Sequence, residues 1–211
     1  MARNEELFNA ILKGRRKDVA ALVQTAIDNG ANVEEILMES MIPAMREIGA
    51  RFTRNEVYVP EMLIAARAMQ AGLDIVDPLL TQSGHEPLGK VAIGTVKGDL
   101  HDIGKNLVAM MVKGAGYEVM DLGVDCDVAK YEDAVSKGAQ VIMLSALLTT
   151  TMPYMKEVVT HFKNKGSDVK ILIGGAPVTQ EYADEIGADG YSCDANRAVT
   201  SVEQVLGGKA A

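Results

Sequence analysis

The segment Asp99-Leu100-His101-Asp102-Ile103-Gly104 places an imidazole two residues from a carboxylate and three from a glycine. That spacing suits metal ligation. One ring nitrogen binds the metal, while the carboxylate accepts the N–H of the other and sets tautomer and basicity. A single imidazole does not hold a bare ion, and His85 and His161 are remote in sequence. A prosthetic group is therefore expected to supply the remaining ligands. Gly98 and Gly104 fit a loop that a bulky ligand approaches closely. Neither the Walker nor the dinucleotide glycine spacing is present, so the loop is not a phosphate cradle of those types. The competing reading makes Asp99 and Asp102 turn or helix-capping residues and His101 incidental.

Two later segments carry similar weight. Ser145-Ala-Leu147-Leu-Thr149-Thr150-Thr151 sets four hydroxyls in seven residues, which either line a site or cap a helix starting near Met152. Gly174-Gly175-Ala176-Pro177 leaves a patch without side chains, or forms an ordinary turn.

The elements that position these segments follow from periodicity. From residue 90, short apolar runs alternate with helical stretches. Strands are expected at 91–96, 117–122, 141–144, 169–173 and 190–191, and helices near 104–114, 127–137, 152–165, 179–186 and 195–206. Five strand–helix units predict an α/β domain, a flavodoxin-like (Rossmann-like) doubly wound sheet of five parallel strands covered on both faces. Such sheets bind ligands beyond the carboxyl ends of their strands. The three segments follow the first, third and fourth strands, and together they would frame a slot.

Residues 3–82 read as helical, with apolar residues at three- and four-residue spacing such as Val19, Leu22, Val23 and Ile27. Four helices are expected, enough for a small bundle. Asn29-Gly30 ends one of them, and Pro60 opens another. The methionines within 38–45 and 62–69 read as core filler. Residues 83–89 lack periodicity and read as a linker bearing a solvated His85. The expected division is thus a helical domain 1–82, a linker 83–89 and an α/β domain 90–211.

Bulk properties exclude several classes. The chain is 48% hydrophobic and 24% charged, ordinary for a globular protein. Its net charge of −8 is spread over both halves, and the longest basic run, Arg15-Arg16-Lys17, reads as a solvated helix start or turn. No basic footprint for nucleic acid is expected. No apolar run approaches the roughly 18 residues of a membrane span, and the acidic N-terminus does not resemble a signal peptide. A cytoplasmic protein without membrane contact is expected. Cys126 and Cys193 lack a CxxC partner and read as small semi-buried side chains, not as a disulfide or zinc site.

The ordered set Asp99-x-His101-x-x-Gly104, Ser145-x-Leu147 and Gly174-Gly175 resembles the cobalamin-binding module of methionine synthase and the corrinoid proteins of methylotrophic methyltransferase systems. The likeness runs from about residue 37 to 205, and Val96-Lys97-Gly98-Asp99 with His101-Asp-Ile-Gly-Lys-Asn106 makes it specific. It implies a cobalamin or related corrinoid in its methylcobalamin form, with His101 as the lower ligand of cobalt. Gly98, Asp99, Leu100, His101, Asp102, Ile103 and Gly104 would contact the cofactor around the metal. Ser145, Leu147, Gly174 and Gly175 would line the slot for its nucleotide tail, and Thr149 and Ala195 would also contact the cofactor. The helical half resembles the family's cap, with Gly49-x-x-Phe52 and Val59-Pro60-Glu61. Phe52, Val59 and Met62 match residues over the upper corrin face.

The resemblance further implies that cobalt cycles between Co(I) and methyl-Co(III). His101 would release cobalt and take a proton through a catalytic relay Thr151–Asp99–His101. Thr151 departs from methionine synthase, which has serine there. The cap would swing aside at 83–89. The folate- and homocysteine-binding modules of methionine synthase are missing. A methyl-carrier subunit is therefore expected, incomplete as an enzyme alone. Its partners would be a substrate-specific methyltransferase, a corrinoid:acceptor methyltransferase using tetrahydrofolate or a thiol, and a reductive activator. Methylamines, methanol, glycine betaine and aromatic methyl ethers all remain open as donors. Three rivals are weighed. The cobalamin subunit of an adenosylcobalamin-dependent mutase would lack the helical half. A corrinoid-dependent regulator would need a DNA-binding segment, and a flavodoxin-like module without cobalt would not need His101.

Overall fold

A computed structural model describes residues 3–84 and 86–207; the expected solvated linker histidine, His85, lies outside them. The chain forms two compact units, Met1–Pro87 with Lys113–Gly116, and Leu88–Val112 with Tyr117–Ala211.

The first unit is helical. Its rods are α1 (Glu5–Leu12), α2 (Arg16–Asp28), a long rod made of α3 (Val33–Ile36) and α4 (Ile42–Thr53), and α5 (Val59–Gln82). Four rods were expected. The π-helical stretch Leu37–Met41 that joins α3 to α4 was not, because a wider turn leaves no mark on apolar spacing. Local chemistry sets the ends. Asn4 accepts the N–H of Leu7, Asn32 accepts that of Glu34, and Glu61 reaches back to the N–H of Tyr58 ahead of Pro60. Leu7, Ile11, Val19, Val23, Met41, Met45, Met62 and Met69 fill the core, as the apolar stripes require.

The second unit alternates strands and helices: β1 (Lys90–Thr95), α6 (Ile103–Gly114), β2 (Glu118–Asp121), α7 (Val128–Ser136), β3 (Val141–Ser145), α8 (Pro153–Asn164), β4 (Lys170–Gly174), α9 (Gln180–Ile186), β5 (Gly190–Ser192) and α10 (Ala195–Val205). All four strand pairings are parallel, in the order β2-β1-β3-β4-β5. This is the doubly wound, flavodoxin-like order, whose chain direction reverses between β1 and β3. Alternate strand residues face opposite sides. Ala92, Ile142, Leu144, Ile171 and Ile173 pack with Tyr131, Met155, Val159 and Phe162 into one buried cluster. The opposite parity, Val91, Ile93, Met143 and Leu172, is also buried, as burial on both faces demands.

Candidate functional site

Three of the sequence-selected segments lie at the carboxyl ends of β1, β3 and β4, and the sheet order puts two of them side by side at the β1/β3 switch point. The His101 loop begins with a tight turn. The N–H of Asp99 donates to Val96 O at 3.1 Å, and Gly98 takes φ +82°, the left-handed value that this turn requires at its third position. Val96 N donates to Ser145 O at 3.0 Å, and Thr95 Oγ1 donates to His101 O at 2.9 Å, which ties the loop to the sheet at both ends.

Asp99 is fully buried and is the hub of this region. Its Oδ1 accepts the His101 backbone N–H at 3.1 Å and lies 2.7 Å from His101 Nδ1. Its Oδ2 accepts the N–H groups of Leu147 at 2.8 Å and Leu148 at 3.2 Å and the Thr151 hydroxyl at 2.8 Å. Burial opposes its charge. The N–H groups of His101 and Leu147, the imidazole and the Thr151 hydroxyl overcome that penalty and hold the carboxyl well below the usual carboxylate range. Asp99 therefore stays ionised. Its bond to Nδ1 makes that atom the protonated one and leaves Nε2 as the free lone pair. The His101 side chain is 51% exposed, and among the described residues nothing hydrogen-bonds Nε2.

The loop after β3 therefore serves Asp99 and does not cap a helix: α8 starts without a side-chain cap. Of the expected relay, the structure joins all three members, Thr151, Asp99 and His101, in one hydrogen-bonded chain. Around His101, Leu100, Ile103, Leu147 and Leu148 stand exposed, an apolar surface that a polar ligand would not call for. Gly104 has open space where a Cβ would go. Asp102 Oδ2 accepts from Asn106 Nδ2 at 3.0 Å, a bond one turn along and not a backbone cap. Thr149 is exposed beside Leu148.

Strand register reveals a feature that single segments do not show. Thr95, Ser145, Gly174 and Ser192 are consecutive partners across β1, β3, β4 and β5, and so lie on one face in one row. Only small or hydroxyl side chains stand along that row. A Cβ on Gly175, which has φ +136°, would lie 1.9 Å from Ala146 O, so only glycine fits there. A Cβ on Gly174 would lie 3.0 Å from Ser192 O. Ser192 Oγ bonds Ser201 Oγ at 3.0 Å on α10, whose first residue is the buried Ala195. Thr95 and Ser192 were missed in the sequence: each ends its strand, but neither belongs to the histidine, hydroxyl or glycine groupings that drew notice.

An imidazole with an outward Nε2, an apolar surround and a row of small residues along the strand ends fit a flat macrocycle with a long tail. The family comparisons agree. Residues 89–200 and 3–77 each match a B12 binding domain family. The chain belongs to the cobalamin-binding corrinoid proteins. It is 39% identical over 216 residues to a corrinoid protein of Desulfitobacterium hafniense, covering 98% of this chain and 99% of that one. It is 38% identical over 206 residues to dimethylamine corrinoid protein 1 of Methanosarcina acetivorans, covering 96% of each. Among solved structures it resembles the methanol:cobalamin methyltransferase complex of Methanosarcina barkeri, with TM-score 0.85 and 27% identity over 97% of this chain and 79% of that one. Corrinoid binding follows from the family.

In the helical unit, Phe52 lies half-buried in the last turn of α4, Val59 opens α5 exposed, and Met62 is buried one turn later. The two cysteines differ. Cys126 is buried, and burial pushes its thiol up, whereas Cys193 is exposed and not semi-buried as expected. Among the described residues no cluster of three or more His, Cys, Asp or Glu could hold a bare metal ion. None of the described helices is long and apolar enough to cross a membrane.

Proposed function

We propose that this corrinoid protein carries a methyl group between two methyltransferases, with His101 Nε2 as the lower ligand of its cobalt. The observation that carries this reading is the Asp99–His101 pair: an ionised, buried carboxylate orients a half-exposed ring whose second nitrogen is free. When bound, the corrinoid supplies a cobalt centre that accepts a methyl group from one partner and yields it to the next. Gly98, Leu100, Ile103 and Gly104 would lie against the macrocycle beside His101. Ser145, Leu147, Gly174, Gly175 and Ala195, with Thr95 and Ser192 behind them, would frame the place of its tail.

Asp99 governs the proton at His101. Its Oδ1 holds Nδ1–H, so Nε2 can bind metal; when Nε2 instead takes a proton, the same carboxylate stabilises the imidazolium. Thr151 Oγ1 donates to Asp99 and keeps that carboxylate charged. On likeness to the family, Phe52, Val59 and Met62 are assigned the shielding of the upper face. The dimethylamine relative and the methanol system complex favour a methylated amine or alcohol as the ultimate donor. A donor methyltransferase, an acceptor methyltransferase and a reductive activator are the proposed partners.

The test is reconstitution with hydroxocobalamin, wild type beside His101→Ala. The expected result is bound corrinoid in both, with a visible spectrum of imidazole ligation in the wild type alone. Identical spectra would remove His101 from the metal.

A further inference from the structure

We propose that Asp125, in the loop after β2, is a positioning residue that sets how firmly His101 reaches the cobalt; the inference rests on His101 being the lower ligand. The turn from Val96 to Asp99 uses the Asp99 N–H and leaves the Gly98 N–H free of that turn. Asp125 Oδ1 takes it, at 2.7 Å. The N–H of Asp125 in turn donates to Asp99 O at 3.1 Å. One residue thus grips the metal loop at two points, on either side of the Gly98–Asp99 peptide and two residues before His101.

Asp125 does this with φ +50°, a left-handed backbone that a non-glycine residue adopts only when its surroundings enforce it. The surroundings are visible. Lys130 Nζ donates to Val124 O at 3.1 Å and to Asp125 O at 3.4 Å, and Cys126 N donates to Thr95 O at 2.9 Å, so the loop after β2 is pinned on both sides. Asp99 fixes which ring nitrogen faces outward. Asp125 fixes where the peptide carrying that ring sits. Groups one layer behind a ligand tune metal affinity through such placement.

The experiment measures the Co(II)/Co(I) midpoint potential of the cobalamin-loaded protein. Imidazole favours Co(II) over Co(I), so weaker ligation moves the midpoint positive. Loss of the Gly98 hydrogen bond should weaken ligation by roughly fivefold, which is about 40 mV at 59 mV per tenfold. Asp125→Asn keeps an acceptor and tolerates φ +50°, and should stay at the wild-type value. Asp125→Gly keeps the backbone and removes the acceptor, and should shift by the full amount, as should Asp125→Ala. Asp125→Gly at the wild-type potential, or Asp125→Asn shifted as far as Asp125→Gly, would overturn the proposal. Should Asp125→Ala not fold, the Asn and Gly variants still decide it. His101→Ala separates the two layers: a wild-type midpoint there refutes the lower-ligand reading itself, whereas a shift there with none in Asp125→Gly refutes only the role of Asp125.

Discussion

Replacing Thr151 by valine keeps its shape and removes one proton. Thr151 is 9% exposed, and its Oγ1 lies 2.8 Å from Asp99 Oδ2 and 2.8 Å from Leu148 O. A hydroxyl has a single proton, so it serves one acceptor at a time. Leu148 O already accepts the N–H groups of Thr151 and Met152, whereas Asp99 is charged and buried, so the carboxylate is the stronger claimant. Losing a hydrogen bond to a charged group costs about 2 kcal/mol. That term acts on the ionised form alone, so the Asp99 carboxyl should move up toward the ordinary carboxylate range. The sign follows from its depressed value: the stabilisation is full above the ordinary carboxylate range and is lost as pH falls through the folded-state value. Thr151→Val should therefore be weaker at pH 7, begin its acid loss where wild type does and complete it at higher pH, and the gap to wild type should close only in strong acid. Urea denaturation of the protein without corrinoid measures this. At a slope near 2 kcal/mol/M the midpoint should drop by about 1 M, and Thr151→Ser should restore most of it. A valine variant as stable as wild type at pH 7 would show that the hydroxyl serves Leu148 and that Asp99 does not depend on it.

Three further outcomes are expected. Gly175→Ala drives a Cβ to 1.9 Å from the backbone oxygen of Ala146, where no side chain can yield; it should cost about 3 kcal/mol and abolish corrinoid binding, and an unchanged melting temperature would contradict the contact. Lys105 is buried and paired with the half-exposed Asp121, so Asp121→Asn strands a buried ammonium and should cost about 2 kcal/mol in urea, more than Lys105→Met, which removes the charge; the reverse order would refute the pairing. Cys193 should react at once with an aromatic disulfide reagent at pH 8. Cys126 is buried and its thiol pushed up, so it should react only on unfolding, and two equally fast thiols would contradict that placement.

Much of the site was legible because its chemistry is local. Asp99 and His101 are two residues apart, so the carboxylate–imidazole bond needs only the turn that Gly98 permits. The strands were legible as β-branched runs, and their ends pointed to Ser145 and Gly174. Element ends slipped by a residue or so, since apolar spacing does not register caps. The π-helical stretch after α3 escaped for the same reason. Asp125 escaped because the end of β2 carries no histidine, hydroxyl cluster or glycine pair to draw notice.

The sequence by itself determined the doubly wound sheet and the carboxylate–imidazole pair of Asp99 and His101, because those depend on neighbours within a few positions and on periodicity. Only the tertiary structure decided that Thr151, 52 residues from Asp99, keeps it charged. It also decided that Thr95, Ser145, Gly174 and Ser192 share one row. The physical reason is the parallel sheet. Its order and register bring strand ends from distant parts of the chain within hydrogen-bond reach, and no pattern in the chain states which residue will stand opposite which.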